Sequence, residues 1–338
     1  MKRLFFFIII GSSLFFSYCQ DTAEATEEVT ANTNLSTTGN PAIDGLSVAI
    51  ADNPSDPSLY AKRADMFYQN EGYDEAISDL QKALSFDSTN VDYLHLLADV
   101  YLDYYQSYPA INTMMKAATL YPTRIPTLLK LSEFQLILKQ YDKSINTINE
   151  VLKLEQLNAE AYFMLGLNFK EQGNIDRAMG SFQTAVENNP DLVDAWINLG
   201  QLHAEKGSNL AKYYFENAVK VAPNNITALH AKAEFLHFSD DRQGAIETYR
   251  QINNIDPDYS ESLFNTGIIY LEMDSLAQAK KHFNMAVVTS PTYIIAYYYR
   301  GLVLEMEGNI ASAKKDYQTA LNFNPEFVRA QEALARLK

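Results

Sequence analysis

Cysteine is almost absent from this 338-residue chain: Cys19 is the only one, so no intramolecular disulfide can form and thiol chemistry has a single possible seat. Cations are scarce relative to anions, 27 Lys and Arg against 42 Asp and Glu, for a net charge of -15. No basic run clusters them. That excludes nucleic acid, whose phosphates are held by grouped Lys and Arg that release counterions, and it disfavours an anionic lipid surface for the same reason. There is no glycine-rich phosphate-cradling loop, no G-x-S-x-G turn and no H-E-x-x-H. Neighbouring carboxylates such as Asp240 and Asp241 occur, but 42 acids make such neighbours expected by chance. No cofactor and no enzymatic activity is expected. What remains is a chain that is 47% hydrophobic and 20% charged, globular in composition and long enough for two ordinary domains or one extended repeat array.

The N-terminus carries Lys2 and Arg3 followed by the apolar run Leu4 to Phe16, too short to span a bilayer at 1.5 Å per residue. Residues 1–18 therefore read as an export signal. Cys19, directly after it, resembles the lipidated cysteine of bacterial lipoproteins; Ser17 fits the pattern around such a cysteine, whereas Phe16 and Tyr18 depart from it. The resemblance implies a lipid on Cys19 and a mature chain without a free thiol, which suits an oxidising envelope compartment. Secretion after cleavage near Ala23 or Ala25, and an uncleaved apolar anchor, are the other readings. From Gln20 to Asn40 there are six threonines, no aromatics and the acids Asp21, Glu24, Glu27 and Glu28, so residues 19–40 form a tether without a core. Acids just after the lipid cysteine also resemble the surface-export signals of some lipoproteins; a solvated linker is the alternative. The expected location is the cell envelope, lipid-anchored at the outer membrane and facing the periplasm or the cell surface.

Beyond residue 40 the chain repeats itself every 34 residues, with one step a residue short after Trp196. One slot holds Tyr60, Leu94, Leu128, Tyr162, Trp196, Leu229, Leu263 and Tyr297. Four residues later stands a small residue: Ala64, Ala98, Ser132, Gly166, Gly200, Ala233, Gly267 and Gly301. A second small column runs from Ala76 to Ala313, and four residues beyond it comes a large apolar one: Leu80, Met114, Ile148, Phe182, Phe215, Tyr249, Phe283 and Tyr317. Units close on a breaker, which is Pro122, Pro190, Pro223, Pro257, Pro291 or Pro325 in six of them and Ser88 or Gln156 in the other two.

Apolar residues at i, i+3, i+4 and i+7 make one face of a helix, and each unit holds two such stretches separated by a turn, as at Glu171-Gln-Gly-Asn. Each unit is thus a helical hairpin in which small residues let two backbones approach and a large side chain fills the gap opposite. Proline ends the second helix because it lacks an N–H. Neither helix can bury its face alone, so the units must stack in one dimension.

These columns resemble the tetratricopeptide-repeat family, and the unit Ala161 to Pro190, with Tyr162, Leu165, Gly166, Phe169, Ala178, Phe182, Ala185 and Pro190, matches at every slot. The implied fold is all-α, an α-α superhelix of eight hairpins over residues 57–327. A half repeat precedes it at 41–56, with Ala42, Leu46, Ala49 and Pro54 in second-helix register, and a capping helix follows at 328–338. Eight repeats would wind through about one right-handed turn.

In that family the first helix of each unit lines the concave surface. By this resemblance the lining is Ala61, His95, Leu129, Phe163, Ile197, His230, Phe264 and Tyr298, with Asp65, Asp99, Glu133, Leu167, Gln201, Glu234, Ile268 and Leu302 four residues on. The early units are acidic there, helped by Asp92 and Asp103, and the later ones apolar. The implied partner is a protein or peptide with basic residues toward the early units and apolar anchors toward Phe264 and Tyr298. Equally open is that Phe163, Ile197 and Phe264 pack between first helices and extend the core. Lys62, Lys130, Asn198 and Asn265 share one further inward slot, but acids stand where a carboxylate clamp needs neutral or basic groups, so a peptide C-terminus is not the expected ligand. His230, Glu234 and His237 fall at i, i+4 and i+7 on one helix face, where a metal could be held; neither Cys nor another nearby His completes a set, and polar lining is the preferred reading. A carbohydrate ligand is the rival to a protein one, suggested by 22 tyrosines, most of which already occupy repeat slots.

Overall fold

The computed structural model describes residues 38–337; the export segment, Cys19 and all but the end of the tether lie outside the described residues. Within them the chain forms eighteen helices and no strand. A single helix, α1 (Pro41–Asp52), precedes eight hairpins. These are α2 (Pro57–Gln69) with α3 (Tyr73–Phe86), α4 (Val91–Asp103) with α5 (Ser107–Leu120), α6 (Ile125–Ile137) with α7 (Tyr141–Leu154), and α8 (Ala159–Glu171) with α9 (Ile175–Asn188). The second four are α10 (Val193–Glu205) with α11 (Leu210–Val221), α12 (Ile226–Phe238) with α13 (Arg242–Ile255), α14 (Ser260–Glu272) with α15 (Leu276–Thr289), and α16 (Ile294–Met306) with α17 (Ile310–Phe323). The last helix is α18 (Val328–Arg336). The architecture is the α-α superhelical stack that the 34-residue period implies.

Local chemistry sets the helix ends. Asn90, Asn158, Asn225 and Asp241 accept hydrogen bonds from backbone N–H groups of the following first turns, satisfying donors that a helix start leaves open. The turn inside each hairpin needs one residue at positive φ. Gly173, Gly207 and Gly308 supply it freely, whereas Glu71, Tyr105, Lys139, Asp240 and Asp274 adopt it with a side chain attached. The residue missing from the fifth unit is taken from the start of α11 rather than from the turn before it: α11 has 12 residues against 14 in the other second helices, and the Ala211 N–H closes a tight bond on the Ser208 carbonyl.

Packing follows the paired small and large columns. A Cβ built on Gly166 would lie 2.4 Å from the Phe182 ring, and one on Gly200 2.7 Å from Phe215. Gly267 and Gly301 stand likewise against Phe283 and Tyr317. The glycines are there because the aromatic ring occupies the space a methyl would need. The half unit departs from expectation by one residue: α1 buries Ile43, Ser47 and Ile50, not the stripe Ala42, Leu46 and Ala49. Its second-helix register is shifted so that two isoleucines reach the core and the Ser47 hydroxyl accepts from Arg63 Nη1 at 2.9 Å.

Arg63 belongs to a device used twice. It forks onto the nearly buried Asp79 through two bonds of 2.7 Å, and in the last hairpin Arg300 does the same to Asp316. In each case a guanidinium stands one residue before the small slot, where units 2 to 5 place Leu97, Leu131, Leu165 and Leu199. A bidentate pair satisfies both ions where a leucine would pack.

Substantial contacts join only helices one or two apart in the chain. Each second helix packs on its own first helix and on the next one. First helices also meet each other, α2 with α4, α6 with α8 and α10 with α12, while second helices make no comparable contact among themselves. The stack therefore curves with its first helices on the inner side. None of the described helices is long and apolar enough to cross a membrane.

Candidate functional site

The inner wall is built from the first helices, α2 to α16, each held at a fixed angle by the small-to-large contact beneath it. Its polar residues mostly bridge one first helix to the next. The His95 ring Nε2 lies 3.1 Å from the Thr127 hydroxyl, Lys130 Nζ donates to Asp99 at 2.7 Å, and Lys170 Nζ donates to Asn198 at 2.7 Å. Further along, Asn265 meets His230 at 3.2 Å and Glu272 meets His237 at 2.7 Å, while in the earliest units the Tyr68 hydroxyl donates to Asp103. Partners in this ladder lie 28 to 35 residues apart, about one repeat.

The ladder perturbs its members as partial burial should. Burial pushes the Asp99 carboxyl above its ordinary range, with Lys130 opposing the rise. Burial lowers Lys170, against the pull of Glu205 and Glu171, and lowers His95, assisted by the Arg124 and Lys130 charges. Glu133 remains exposed.

The apolar lining residues are half-buried. Leu129, Phe163 and Leu167 pack on the central core, Phe264 and Ile268 on the cluster around Phe283, and Tyr298 on that around Tyr317; Leu302 is likewise half-buried. Ile197 is different: at 4% exposure it is a core residue and offers nothing to a ligand, because its side chain is enclosed by the central cluster to which it belongs. The ring faces that a sugar would need are largely engaged. Phe163 lies against Phe182 at 5.7 Å, Phe264 against Phe283, Tyr293 and Tyr299, and Tyr298 against Tyr299, Tyr317 and Phe327.

The possible metal ligands diverge. His230 turns to Asn265 and sits among Tyr249 and Tyr259, His237 turns to Glu272, and among the described residues no three His, Cys, Asp or Glu converge on one point.

One row was not among the expected lining. In the last turn of the first helices a single slot, nine residues after the opening aromatic column, carries Ile137, Phe238 and Met306, exposed at 52%, 76% and 52%. The same slot is acidic in other units, at Asp103, Glu171, Glu205 and Glu272. Its signal lies in the 34-residue period, as an apolar residue recurring in a column that is otherwise polar, Gln69 and four acids. The slot thus sets exposed apolar groups, in units 3, 6 and 8, among the carboxylates of units 2, 4, 5 and 7.

Comparison with known proteins adds three segment matches. Residues 64–103 match a family profile described as TPR repeat, and residues 163–212 and 294–327 match two described as tetratricopeptide repeat. Among curated relatives, the DnaJ homolog subfamily C member 7 homolog of Dictyostelium discoideum is 21% identical over 296 residues, covering 82% of this chain and 51% of that protein. Anaphase-promoting complex subunit 3 of Schizosaccharomyces pombe is 26% identical over 149 residues, 44% of this chain and 22% of that one. The chain spans about half or less of the length of the curated relatives it matches. Among solved structures, that of the APC/C hetero-tetramer Cut9-Hcn1 covers 88% of this chain and 58% of its own, at 17% identity and a TM-score of 0.50, which is a likeness of fold.

Proposed function

We propose that this tetratricopeptide-repeat protein is a non-catalytic adaptor that seats a protein partner on the inner wall of its first helices. The observation that carries the reading is the row Ile137, Phe238 and Met306. A phenylalanine left 76% exposed at the end of a well-packed helix gains about 1.5–3 kcal/mol when a partner covers it. The carboxylates that share its slot select basic residues beside the partner's apolar anchors and speed encounter more than they add affinity. The relatives the chain matches include a subunit of the anaphase-promoting complex and a DnaJ homolog, and the former supports a role in contacts with other proteins.

Its expected station belongs to the same proposal. With Cys19 lipidated, the adaptor is held at the outer membrane of a bacterial envelope and recruits its partner there. Metabolic labelling with a fatty acid tests this: label on the native chain and none on Cys19→Ala supports the anchor, and equal label on both removes it.

For the wall, a photo-crosslinking residue is placed at position 238 in the native host. The reading requires a discrete protein adduct that disappears when Ile137→Asp and Met306→Asp are added and that does not form from position 220 on α11. An adduct of equal yield from position 220 counts against it.

A further inference from the structure

A cleft on the other side of the stack carries a different chemistry. Lys280 and Lys281 follow the small residue Ala279 on α15, and Lys314 and Lys315 follow Ala313 on α17, 34 residues later. In units 1, 2, 3, 4 and 6 the first of these two slots is Ile77, Ile111, Ile145, Met179 or Ile246, an apolar residue that helps cover the stack. Unit 5 has the single Lys212 there, followed by Tyr213; only the last two hairpins place two lysines in succession, and the fold sets the two pairs on second helices of adjacent hairpins.

Between α15 and α17, with α16 behind, is a cleft of about 510 Å³, inside the range of roughly 300–1,000 Å³ typical of small-ligand sites. Lys280, Lys281, Lys315 and Arg300 line it, against the single carboxylate of Asp316. That carboxylate is fully engaged by the Arg300 fork, and Lys280 donates to Glu307 at 2.5 Å. Lys281 and Lys315 have no ion-pair partner among the described residues, so two ammonium charges face the cleft uncompensated. Ser312 adds a hydroxyl. Asn284 accepts from Arg300 at 2.8 Å with its carbonyl, which leaves its amide N–H₂ as what it can offer a ligand. Leu304 supplies an apolar patch.

The geometry points to a binding site for a phosphomonoester. Two uncompensated charges match a group that carries about -1.5 to -2 at pH 7, whereas one carboxylate would leave an ammonium unmatched. The surrounding donors suit three phosphate oxygens, and the paired Arg300 and Asp316 give the floor a fixed shape. In a chain of net charge -15 this is a local reversal of sign.

Isothermal titration of the full chain with inorganic phosphate and with glucose 6-phosphate tests the site. Lys281→Gln with Lys315→Gln serves as the variant and Lys212→Gln with Lys220→Gln on α11 as the control, each checked for helix content by circular dichroism. Saturable binding of either probe that weakens about tenfold or more in the variant, and not in the control, supports the site. Co-sedimentation with phosphatidate vesicles that depends on the same two lysines also supports it and places the phosphate on a lipid headgroup. Absence of binding to every phosphate probe, or equal loss in variant and control, overturns it. So does binding of polyglutamate alone, which would make the cleft a dock for an acidic protein segment.

Discussion

The first three hairpins and the five that follow meet the same packing requirement with different materials. In units 1 to 3 a small residue with a side chain faces an aliphatic one: Ala64 with Leu80, Ala98 with Met114, Ser132 with Ile148. Units 4, 5, 7 and 8 set glycine against an aromatic ring, with Cβ clearances at the glycine of 2.4 to 2.8 Å. Unit 6 mixes the two, with Ala233 and Tyr249. The turns divide similarly. Units 1 to 3 put Glu71, Tyr105 and Lys139 at positive φ, where units 4, 5 and 8 use glycine and units 6 and 7 use Asp240 and Asp274. The core is continuous from Leu128 to Ala231 and falls into smaller clusters on both sides of that stretch, in the first two units and in units 6 to 8. Gap and filler are thus matched pair by pair, so one member cannot change without its partner, and the first three turns all hold a side chain at positive φ where three of the other five hold glycine.

The largest expected effect is at the fillers. Phe182→Ala should cost about 3–5 kcal/mol in urea unfolding, and Leu80→Ala, which removes fewer atoms, about 2–5 kcal/mol and less than Phe182→Ala. Next comes the gap. Gly166→Ala forces a methyl into the Phe182 ring and should cost about 1–3 kcal/mol. Combining it with Phe182→Leu, which recreates the pairing of unit 1, should cost less than the sum of the two single changes. Strict additivity would show that the columns are not matched in pairs. Tyr105→Gly should stabilise by about 1 kcal/mol, because an L side chain is disfavoured at φ 58 and this one, 94% exposed, packs on little. The same substitution design has no counterpart in unit 4, where Gly173 already stands.

The smallest effect is on acidity. Burial, helped by the Lys281 charge, holds the His282 imidazole below its ordinary value of 6.5, and burial also lowers His203. A base whose folded pKa lies below its unfolded one binds protons more readily when unfolded. Stability from these rings is therefore full above pH 6.5 and is lost as pH falls through their folded values. Melting temperature should decline between pH 7 and pH 5.5, and less steeply in His282→Gln.

The repeat was legible because period, small slots and breakers are written in the chain at fixed spacing, and each states a local steric rule. Depth was not. Helical phase places Ile197 and Phe163 on one face, yet only the curvature of the stack decides that Ile197 is enclosed while Phe163 keeps an exposed edge. The ladder from His95 to Thr127 and from Lys130 to Asp99 joins residues about a repeat apart, so it depends on how closely successive first helices approach. The α1 stripe lies one residue from the expected one, because the face that meets α2 is the one carrying Ile43, Ser47 and Ile50. Phe238 belongs to neither inward column: it closes α12, where the side chain projects past the end of the packed wall.

Hydrogen exchange of the chain alone and with its crosslinked partner, read helix by helix, tests the adaptor account most directly. The account predicts new protection in the last turns of α6, α12 and α16, around Ile137, Phe238 and Met306, with the second helices unchanged. Protection confined to the second helices, with those three turns exchanging as before, would contradict it.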